Sequence, residues 1–560
     1  MKNFFRRKIV DERIIEVLIQ VIGGLGLFLY GMQAMSDGMQ RLAGTRLKKI
    51  IGAITNNRIM ATLVGVGVTG IVQSSSVTTV MVIGFVNAQI MNLTQALGVI
   101  LGANIGTTIT GWILVINIGK YGLPIAGIAS MVYLFAKKDN SKIRAVMVFG
   151  IGLVFFGLEL MSKGLKPVKD MPEFIEFFHK FQADSFSGVL LCAMIGMIST
   201  AIVQSSSATL GITITLATQG LITPESAIAL VLGENIGTTM TAYLASLGAS
   251  VNAKRAALAH FGFNLIGVTW VLSIFNPYVR FLHVVTSDST NIALLIATAH
   301  TMFNVTNVLL FMPFTNQYAK ILMKIIPDRG EVYELRATKL DKRMLETPAI
   351  ALELVEEEIY NTGLAICQMF DDFETILRKQ FDKENPLVKK MFEEEERIDL
   401  VQKEISDISK EALVLELPME LTLSAKTSLS LADEYESISD YIALQTKHYL
   451  KILDKGCPVG DNEYQNIYKI NQRIKEYFAF VNSVYKEKTI EENIVKITEM
   501  KTNISNMFKK IRDNYMERFR EVNYSVDFVT AYIDILNTYR RINNHTFHIT
   551  EIVIYDKNEG

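Results

Sequence analysis

Cysteine is nearly absent from this chain. Cys192, Cys367 and Cys457 are spread over 560 positions, with no spacing that ligates a metal. All three are expected to be chemically inert. An excess of either charge is also missing: 56 lysines and arginines face 57 aspartates and glutamates, a formal net charge of −1. That balance excludes a nucleic-acid partner held by bulk electrostatics. No glycine-rich phosphate loop and no nucleophile–base constellation is found, so enzymatic activity is not expected. A signal-peptide cleavage pattern is missing as well. The basic stretch 1–10 reads as a membrane flank rather than a removed leader.

What is present is unevenly divided. Residues 14–326 are strongly apolar, and residues 330–560 are rich in Glu, Lys, Asp and Arg at helical spacing. This predicts a membrane half followed by a soluble helical half. The expected units are a first membrane repeat (1–137), a second repeat with a final membrane helix (138–326), a linker (327–345) and a helical domain (346–560).

The membrane half contains one polar pattern twice. Gln73-Ser74-Ser75-Ser76 is followed by Gly102-Ala103-Asn104-Ile105-Gly106-Thr107-Thr108. Gln204-Ser205-Ser206-Ser207 is followed by Gly233-Glu234-Asn235-Ile236-Gly237-Thr238-Thr239. Both pieces repeat at an offset of 131, from Gln73 to Gln204 and from Asn104 to Asn235. The flanks agree: Thr69, Ile71, Val72, Thr78 and Thr110 correspond to Thr200, Ile202, Val203, Thr209 and Thr241. Polar clusters inside apolar segments, duplicated in register, point to a transporter site at a repeat interface.

Lipid gives the pattern its meaning. A membrane segment must satisfy its own backbone, and broken backbone is tolerated only where protein or a water-filled cavity covers it. Residues 92–116 and 224–249 are long enough to cross, and each is expected to break near its glycines. Residues 60–90 and 191–221 each place a Gln-Ser-Ser-Ser midway, which predicts re-entrant hairpins with serines at the tips. Serine hydroxyls and half-helix N-termini suit an anion. Exposed carbonyls, Asn and Gln oxygens and Thr hydroxyls suit a cation such as sodium. Close helix packing by small residues is the simpler reading of either motif alone; the in-register pair favours a site.

A second duplication surrounds the first. The glycine-rich stretch 23–31 is echoed at 149–157, and both lead into Met-Ser-x-Gly, at Met35 and Met161, an offset of 126. An amphipathic, basic piece is expected at 36–58. Three crossings per unit make the second enter from the opposite side, an inverted repeat. Lys137, Lys138, Lys142, Arg144, Lys254 and Arg255 argue for cytoplasm at their positions. Glu16, Glu159, Glu234, His260 and His300 are the ionisable residues within membrane segments. Glu234 stands where the first copy has Ala103; it is a candidate for cation or proton coupling, or a partner for Arg255. His260 and His300 read as packed or hydrogen-bonded, and Asn264, Asn304 and Asn307 as glue between helices.

In the charged half, Pro386, Leu417-Pro418 and the glycines at 456 and 460 mark the ends of five or six long helices. Glu395 and Asp399, and Glu436 and Asp440, each place two acids one helical turn apart. Four such acids could bind a hard or borderline metal; solvated acidic faces are the ordinary reading.

The duplicated Gln-Ser-Ser-Ser and Asn-Ile-Gly-Thr-Thr motifs, with Leu27-Phe28-Leu29-Tyr30-Gly31-Met32, resemble the sodium-dependent phosphate cotransporter family over roughly residues 14–320. The resemblance implies sodium-driven movement of inorganic phosphate across a plasma membrane, in a bacterium its inner membrane. The motif serines, Gln73, Gln204, Asn104, Asn235, Thr107, Thr108, Thr238 and Thr239 would hold phosphate and sodium. Bacterial relatives also make export conceivable. The charged half resembles the PhoU family of phosphate-uptake regulators, which bind metal clusters through Glu/Asp-x-x-x-Asp motifs. That implies a cytoplasmic regulatory domain with a divalent or iron-type metal at Glu395, Asp399, Glu436 and Asp440. Its second bundle departs from the pattern, with Arg540 and Asn544 where the first has acids.

The expectation is therefore an all-α fold. It comprises a polytopic membrane protein of two inverted repeats with re-entrant hairpins and broken helices, followed by a PhoU-like bundle. Its partners are phosphate, sodium and the lipid bilayer, with a homodimer as one oligomeric option. Phosphate export and membrane-bound phosphate sensing are the alternatives to sodium-coupled symport.

Overall fold

A computed structural model describes residues 2–52, 57–116, 118–171, 182–287, 290–328, 337–415, 417–454, 461–519 and 526–559. Cys457, the glycines at 456 and 460, and linker residues 329–336 lie outside the described residues. No strand occurs among the described residues, and six helices are long and apolar enough to cross a membrane. The protein is an all-α polytopic membrane protein. The chain forms two compact units, Met1–Glu331 and Val332–Gly560.

The apolar unit begins with α1 (Lys2–Gly52), α2 (Arg58–Val72), α3 (Ser75–Asn87), α4 (Leu93–Val115), α5 (Gly119–Phe135) and α6 (Asp139–Leu165). It continues with α7 (Phe186–Val203), α8 (Ser206–Thr218), α9 (Pro224–Gly237), α10 (Thr239–Ala245) and α11 (Val251–Ser273). Then come α12 (Phe275–Val285), α13 (Ile292–Phe311) and α14 (Thr315–Ile325). The amphipathic stretch expected at 36–58 is not a separate piece, because α1 runs on to Gly52. Apolar side chains stay exposed on outer helices, among them Ile128, Leu134 and Phe135 of α5 and Ile202 of α7. Hydrocarbon is the solvent that suits such faces.

Glycine sets the packing. A Cβ on Gly24 would press on Gly157 O at 2.7 Å, and one on Gly31 on Gly150 O at 2.7 Å. The contacts are reciprocal: Gly157 would meet Gly24 O at 2.5 Å and Gly150 would meet Gly31 O at 2.6 Å. Partner numbers fall along α6 as they rise along α1, so the two helices are antiparallel. They are the two echoed glycine stretches, and each rests on the other.

The same logic orients the motif helices. Gly98 of α4 lies against Ala61 of α2, Gly102 against Thr62 and Val66, and Gly106 against Val66 and Thr69. These numbers rise together, so α2 and α4 are parallel. A chain that leaves along α2 and restarts α4 beside the beginning of α2 must return along α3, making α2–α3 a hairpin. The second copy repeats the last two contacts 131 positions on, Gly233 against Ala193 and Gly237 against Met197 and Thr200, and its Gly196 meets Leu230 as Gly65 meets Val99. There α7–α8 is the hairpin and α9 its partner.

This corrects one expectation. The glycines of Gly-x-Asn-Ile-Gly-Thr-Thr do not break the first helix, since α4 is continuous over 23 residues. In the second copy α9 gives way to α10 only at Thr238, whose φ of −61° and ψ of −22° remain helical. The glycines are there so that backbone can touch backbone, as small residues allow in membrane helices.

The charged unit holds α15 (Pro348–Lys379), α16 (Pro386–Val414), α17 (Met419–Asp454), α18 (Asp461–Glu487), α19 (Ile494–Phe519) and α20 (Val526–Glu559). Asn385 caps α16 through Leu387 N at 2.9 Å, with Pro386 in the first turn, where a missing N–H loses nothing. Phe370, Phe373, Tyr435, Ile438, Tyr477 and Phe478 fill its core. A buried chain fixes its register: Gln445 Nε2 donates to Tyr539 Oη at 2.9 Å, and Tyr539 Oη donates to Asn471 Oδ1 at 3.1 Å.

Candidate functional site

Each hairpin turns on a glutamine. Gln73 has φ 57° and ψ 19°, and Gln204 has φ 58° and ψ 21°, left-handed backbone that L-residues other than Gly and Asn seldom adopt. Each closes the first arm with its own N–H on a threonine carbonyl, Thr69 O and Thr200 O, both at 2.7 Å. The next serine is extended and caps the second arm. Ser74 Oγ accepts from Val77 N at 3.2 Å, and Ser205 Oγ from Ala208 N at 3.3 Å. Across each junction two threonine hydroxyls meet, Thr69 with Thr78 at 3.0 Å and Thr200 with Thr209 at 2.9 Å. The first N–H groups of α3 and α8, starting with Ser75 and Ser206, have no acceptor within the helix and carry its positive end. Left-handed backbone beside a helix N-terminus, built twice, is an arrangement that could receive an anion.

The two copies touch at this point. Thr110 Oγ1 donates to Gln73 Oε1 at 3.1 Å, and Ser207 Oγ reaches Thr110 Oγ1 at 3.5 Å. A glutamine and a threonine of the first copy thus meet a serine of the second. The copies are not equal there, because Gln73 is 5% exposed while Gln204 stands exposed. Ser75 is buried, and Ser74, Ser76, Ser205, Ser206 and Ser207 are half-buried. Thr108 Oγ1 and Thr239 Oγ1 bond back to Ile105 O and Ile236 O at 2.8 and 2.7 Å. Thr107 and Thr238 are buried, and Thr238 Oγ1 has no protein partner.

The motif asparagines are held by a second repeat, in which His260 and His300 are hydrogen-bonded and Asn264 and Asn304 join helices, as expected of them. His260 Nε2 lies 3.2 Å from Asn104 Oδ1, and Asn104 Nδ2 donates to Asn264 Oδ1 at 3.4 Å. His300 Nε2 lies 3.3 Å from Asn235 Oδ1, and Asn304 Nδ2 donates to it at 3.1 Å. In both helices the later asparagine also bonds the histidine's carbonyl, at 3.0 and 2.9 Å. The signal was available: Ala259-His260-x-x-Phe263-Asn264 returns as Ala299-His300-x-x-Phe303-Asn304, 40 positions on. An offset unlike 131 hides it from a search for the first repeat. So α11 serves the first copy and α13 the second.

Glu234 is 3% exposed and accepts from Thr213 Oγ1 at 2.8 Å. Both partners are polar replacements. The first copy has Val82 and Ala103 at the positions of Thr213 and Glu234. Arg255 does not pair with Glu234; it donates to Ile326 O at 2.9 and 2.8 Å and to Asn252 Oδ1 at 2.7 Å. Elsewhere in this unit a cavity of about 320 Å³ is lined by Glu159, Ser162, Thr215, Thr218, Gln219 and Asn291, among others. Glu159 also pairs with Lys163 at 3.2 Å.

In the charged unit, Asp399 of α16 and Glu436 and Asp440 of α17 bring carboxylate oxygens within 4.8 Å of one another. Glu395 feels Asp399 and Asp440. Partial burial first, and neighbouring acids second, raise the pKa of Glu436; burial and Asp399 do the same for Asp440. Glu395 and Asp399 are raised as well, chiefly by burial. The donor set is all oxygen, which suits a hard or borderline cation. The sign of the linkage is definite. Stability carried by the protonated acids is present below the ordinary aspartate value of 3.8 and is lost as pH rises through the raised value. Asp440→Asn is therefore expected to raise the thermal midpoint of metal-free protein near pH 7. After solvent screening the gain is at most about 1 kcal/mol, roughly 2–4 °C, and it fades below about pH 4. A midpoint that falls at pH 7 would contradict this.

The Na+/Pi-cotransporter family model matches the chain twice, at residues 27–163 and 169–304. An uncharacterized protein of Bacillus subtilis, YqeW, is 30% identical over 311 residues, covering 56% of this chain and 99% of that protein. The putative inorganic phosphate export protein YjbB of Escherichia coli is 28% identical over 377 residues, 66% of this chain and 67% of its own. The human sodium-dependent phosphate transport protein 2B is 34% identical over 98 residues, 17% of this chain and 14% of its own. No solved structure matches the chain. The tandem match coincides with the duplicated hairpins and their glycine contacts, and the chain belongs to the Na+/Pi-cotransporter family.

Proposed function

We propose that this protein is a secondary transporter that couples sodium to the movement of inorganic phosphate across a plasma membrane, by alternating access. The single observation that carries the reading is the meeting of the two capped, left-handed glutamine–serine junctions through Gln73, Thr110 and Ser207. Phosphate takes the serine hydroxyls and the N–H groups at the starts of α3 and α8. No arginine occurs in either motif, so co-bound sodium offsets the phosphate charge. Acceptor oxygens suit that ion. Thr238 Oγ1 and Asn304 Oδ1 are buried without a protein partner, and Asn235 stands one turn from Thr238. Glu234 is the candidate coupling group of the second copy. The antiparallel α1–α6 pair supports an inverted relation of the repeats, with the hairpins re-entrant. The charged unit is read as a cytoplasmic, PhoU-like regulator that takes a divalent or iron-type metal at its acid cluster.

The test is radiolabelled phosphate flux in proteoliposomes under opposed sodium gradients, with potassium as control. Flux that follows the sodium gradient is expected. Equal flux in sodium and potassium would overturn the coupling. The name of one relative favours a second reading of direction, since YjbB is described as a putative inorganic phosphate export protein. An outward gradient arm separates export from uptake.

A further inference from the structure

The chain has seven histidines, and two of them, His545 and His548, lie one turn apart on α20. Both turn toward Glu434 of α17. His545 Nδ1 is 2.7 Å from Glu434 Oε2, and His548 Nδ1 is 3.8 Å from the same oxygen. One ligand atom of each residue lies within 4.8 Å of the others. Bonds of about 2.0–2.2 Å to a tetrahedral zinc-type ion place neighbouring ligand atoms roughly 3.3 Å apart, between the two distances seen. We propose that Glu434, His545 and His548 form a site for a late first-row divalent cation of the zinc class, bridging α17 and α20.

A second observation supports a built site. Ligation by His548 Nδ1 leaves Nε2 to an outer partner, and Nε2 lies 3.7 Å from Glu551 Oε2. A carboxylate behind the ring orients a ligating histidine once it closes to hydrogen-bond distance, a shift of about 1 Å or less for these exposed side chains. The Tyr441 ring stands 5.3 Å from the His545 ring, and the two histidine rings meet edge-on at 5.9 Å. The nearby cation Arg541 is held over the Tyr441 ring at 5.3 Å. Two imidazoles and one carboxylate leave a coordination position open for water or an incoming ligand.

The site is distinct from the acid cluster. Glu434 and Glu436 are two residues apart, about 200° around the same helix, so they face opposite sides of α17. The donors differ too, nitrogen-rich here and all oxygen there. The α20 stretch that lacks acids at Arg540 and Asn544 thus carries a different ligand set immediately after them.

The experiment uses the full-length, tag-free protein in detergent, stripped with chelator and titrated with Co²⁺ and then Zn²⁺. Wild type is expected to develop the intense ligand-field bands of tetrahedral Co²⁺, which Zn²⁺ displaces one ion for one; Co²⁺ held by the all-oxygen acid cluster would be six-coordinate and only faintly coloured. His545→Ala/His548→Ala is expected to weaken binding more than about 100-fold, beyond the usual loss from an outer-shell change. Glu551→Gln is expected to weaken it about 10–100-fold with the bands kept. Asp399→Asn/Glu436→Gln/Asp440→Asn is expected to leave the bands unchanged. No bands in wild type would reduce the group to a hydrogen-bonded His–Glu cluster and overturn the proposal. So would bands that persist in the double histidine variant or vanish in the acid-cluster variant. If the double variant misfolds by circular dichroism, Glu551→Gln decides, and unchanged affinity there overturns the site. Phosphate flux is not the readout, so the transport reading and this site fail separately.

Discussion

Ser205→Asp is expected to abolish phosphate flux, by more than about 100-fold, while leaving the protein as stable as wild type or more so. Ser205 caps α8 through Ala208 N. Asp, Asn and Ser are comparable N-caps, and a negative charge at a helix N-terminus is favourable by about 0.3–1 kcal/mol. The aspartate therefore keeps the fold and places its own carboxylate where the substrate anion would sit. Ser205→Asn keeps the cap without the charge and should retain flux within roughly tenfold. Ser205→Ala removes the cap, losing about 1 kcal/mol, and the hydroxyl with it. Flux and thermal midpoint measured together separate these effects. Undiminished flux in Ser205→Asp would remove the anion from this helix end.

Gly233→Ala is expected to be among the most damaging single-atom additions to the membrane unit. In an open helix the change would stabilise by about 1 kcal/mol. Here the new Cβ would strike the Ala193 carbonyl and its Cα at 2.9 Å, backbone that cannot swing aside. A loss of about 2–3 kcal/mol is expected, with flux lost in parallel as α7 and α9 separate. Gly127→Ala is the control, since nothing lies within 4 Å of a Cβ there. It should raise the midpoint slightly, by up to about 1 kcal/mol of helix propensity, and leave flux unchanged. Equal stability of the two variants would contradict the close approach.

Much of this was legible in the sequence, and what was not has physical reasons. The hairpin tips were legible because polar residues stand out against apolar flanks and because they occur twice. The role of the glycines was not. In a membrane helix a glycine can break a helix or admit a neighbour, and only the partner chain distinguishes the two. At Gly102 and Gly233 the partner is a backbone carbonyl, and α4 stays whole. The left-handed turn at Gln73 and Gln204 left no mark in the sequence, since glutamine is an unusual choice for φ near 57°. His260 and His300 were visible as buried ionisable groups, yet their partners lie 156 and 65 residues away. No local pattern reports a contact at such range. In the charged half, Glu395, Asp399, Glu436 and Asp440 could be placed on helix faces from spacing. Glu434 with His545 could not, because 111 residues separate them.

The glycine faces of α1 and α6 carry a consequence beyond packing. A surface whose partner is its own near-copy, with residues i and j exchanging roles across it, is what symmetric dimers call an isologous interface. By that measure α1 and α6 meet as two protomers would, within one chain. Within one chain the two copies of the motif can differ, as they do at Glu234 and Thr213 against Ala103 and Val82. The shared interface stays bound to symmetry, because bulk gained by Gly24 or Gly31 would have to be yielded by Gly157 or Gly150, which have none to yield.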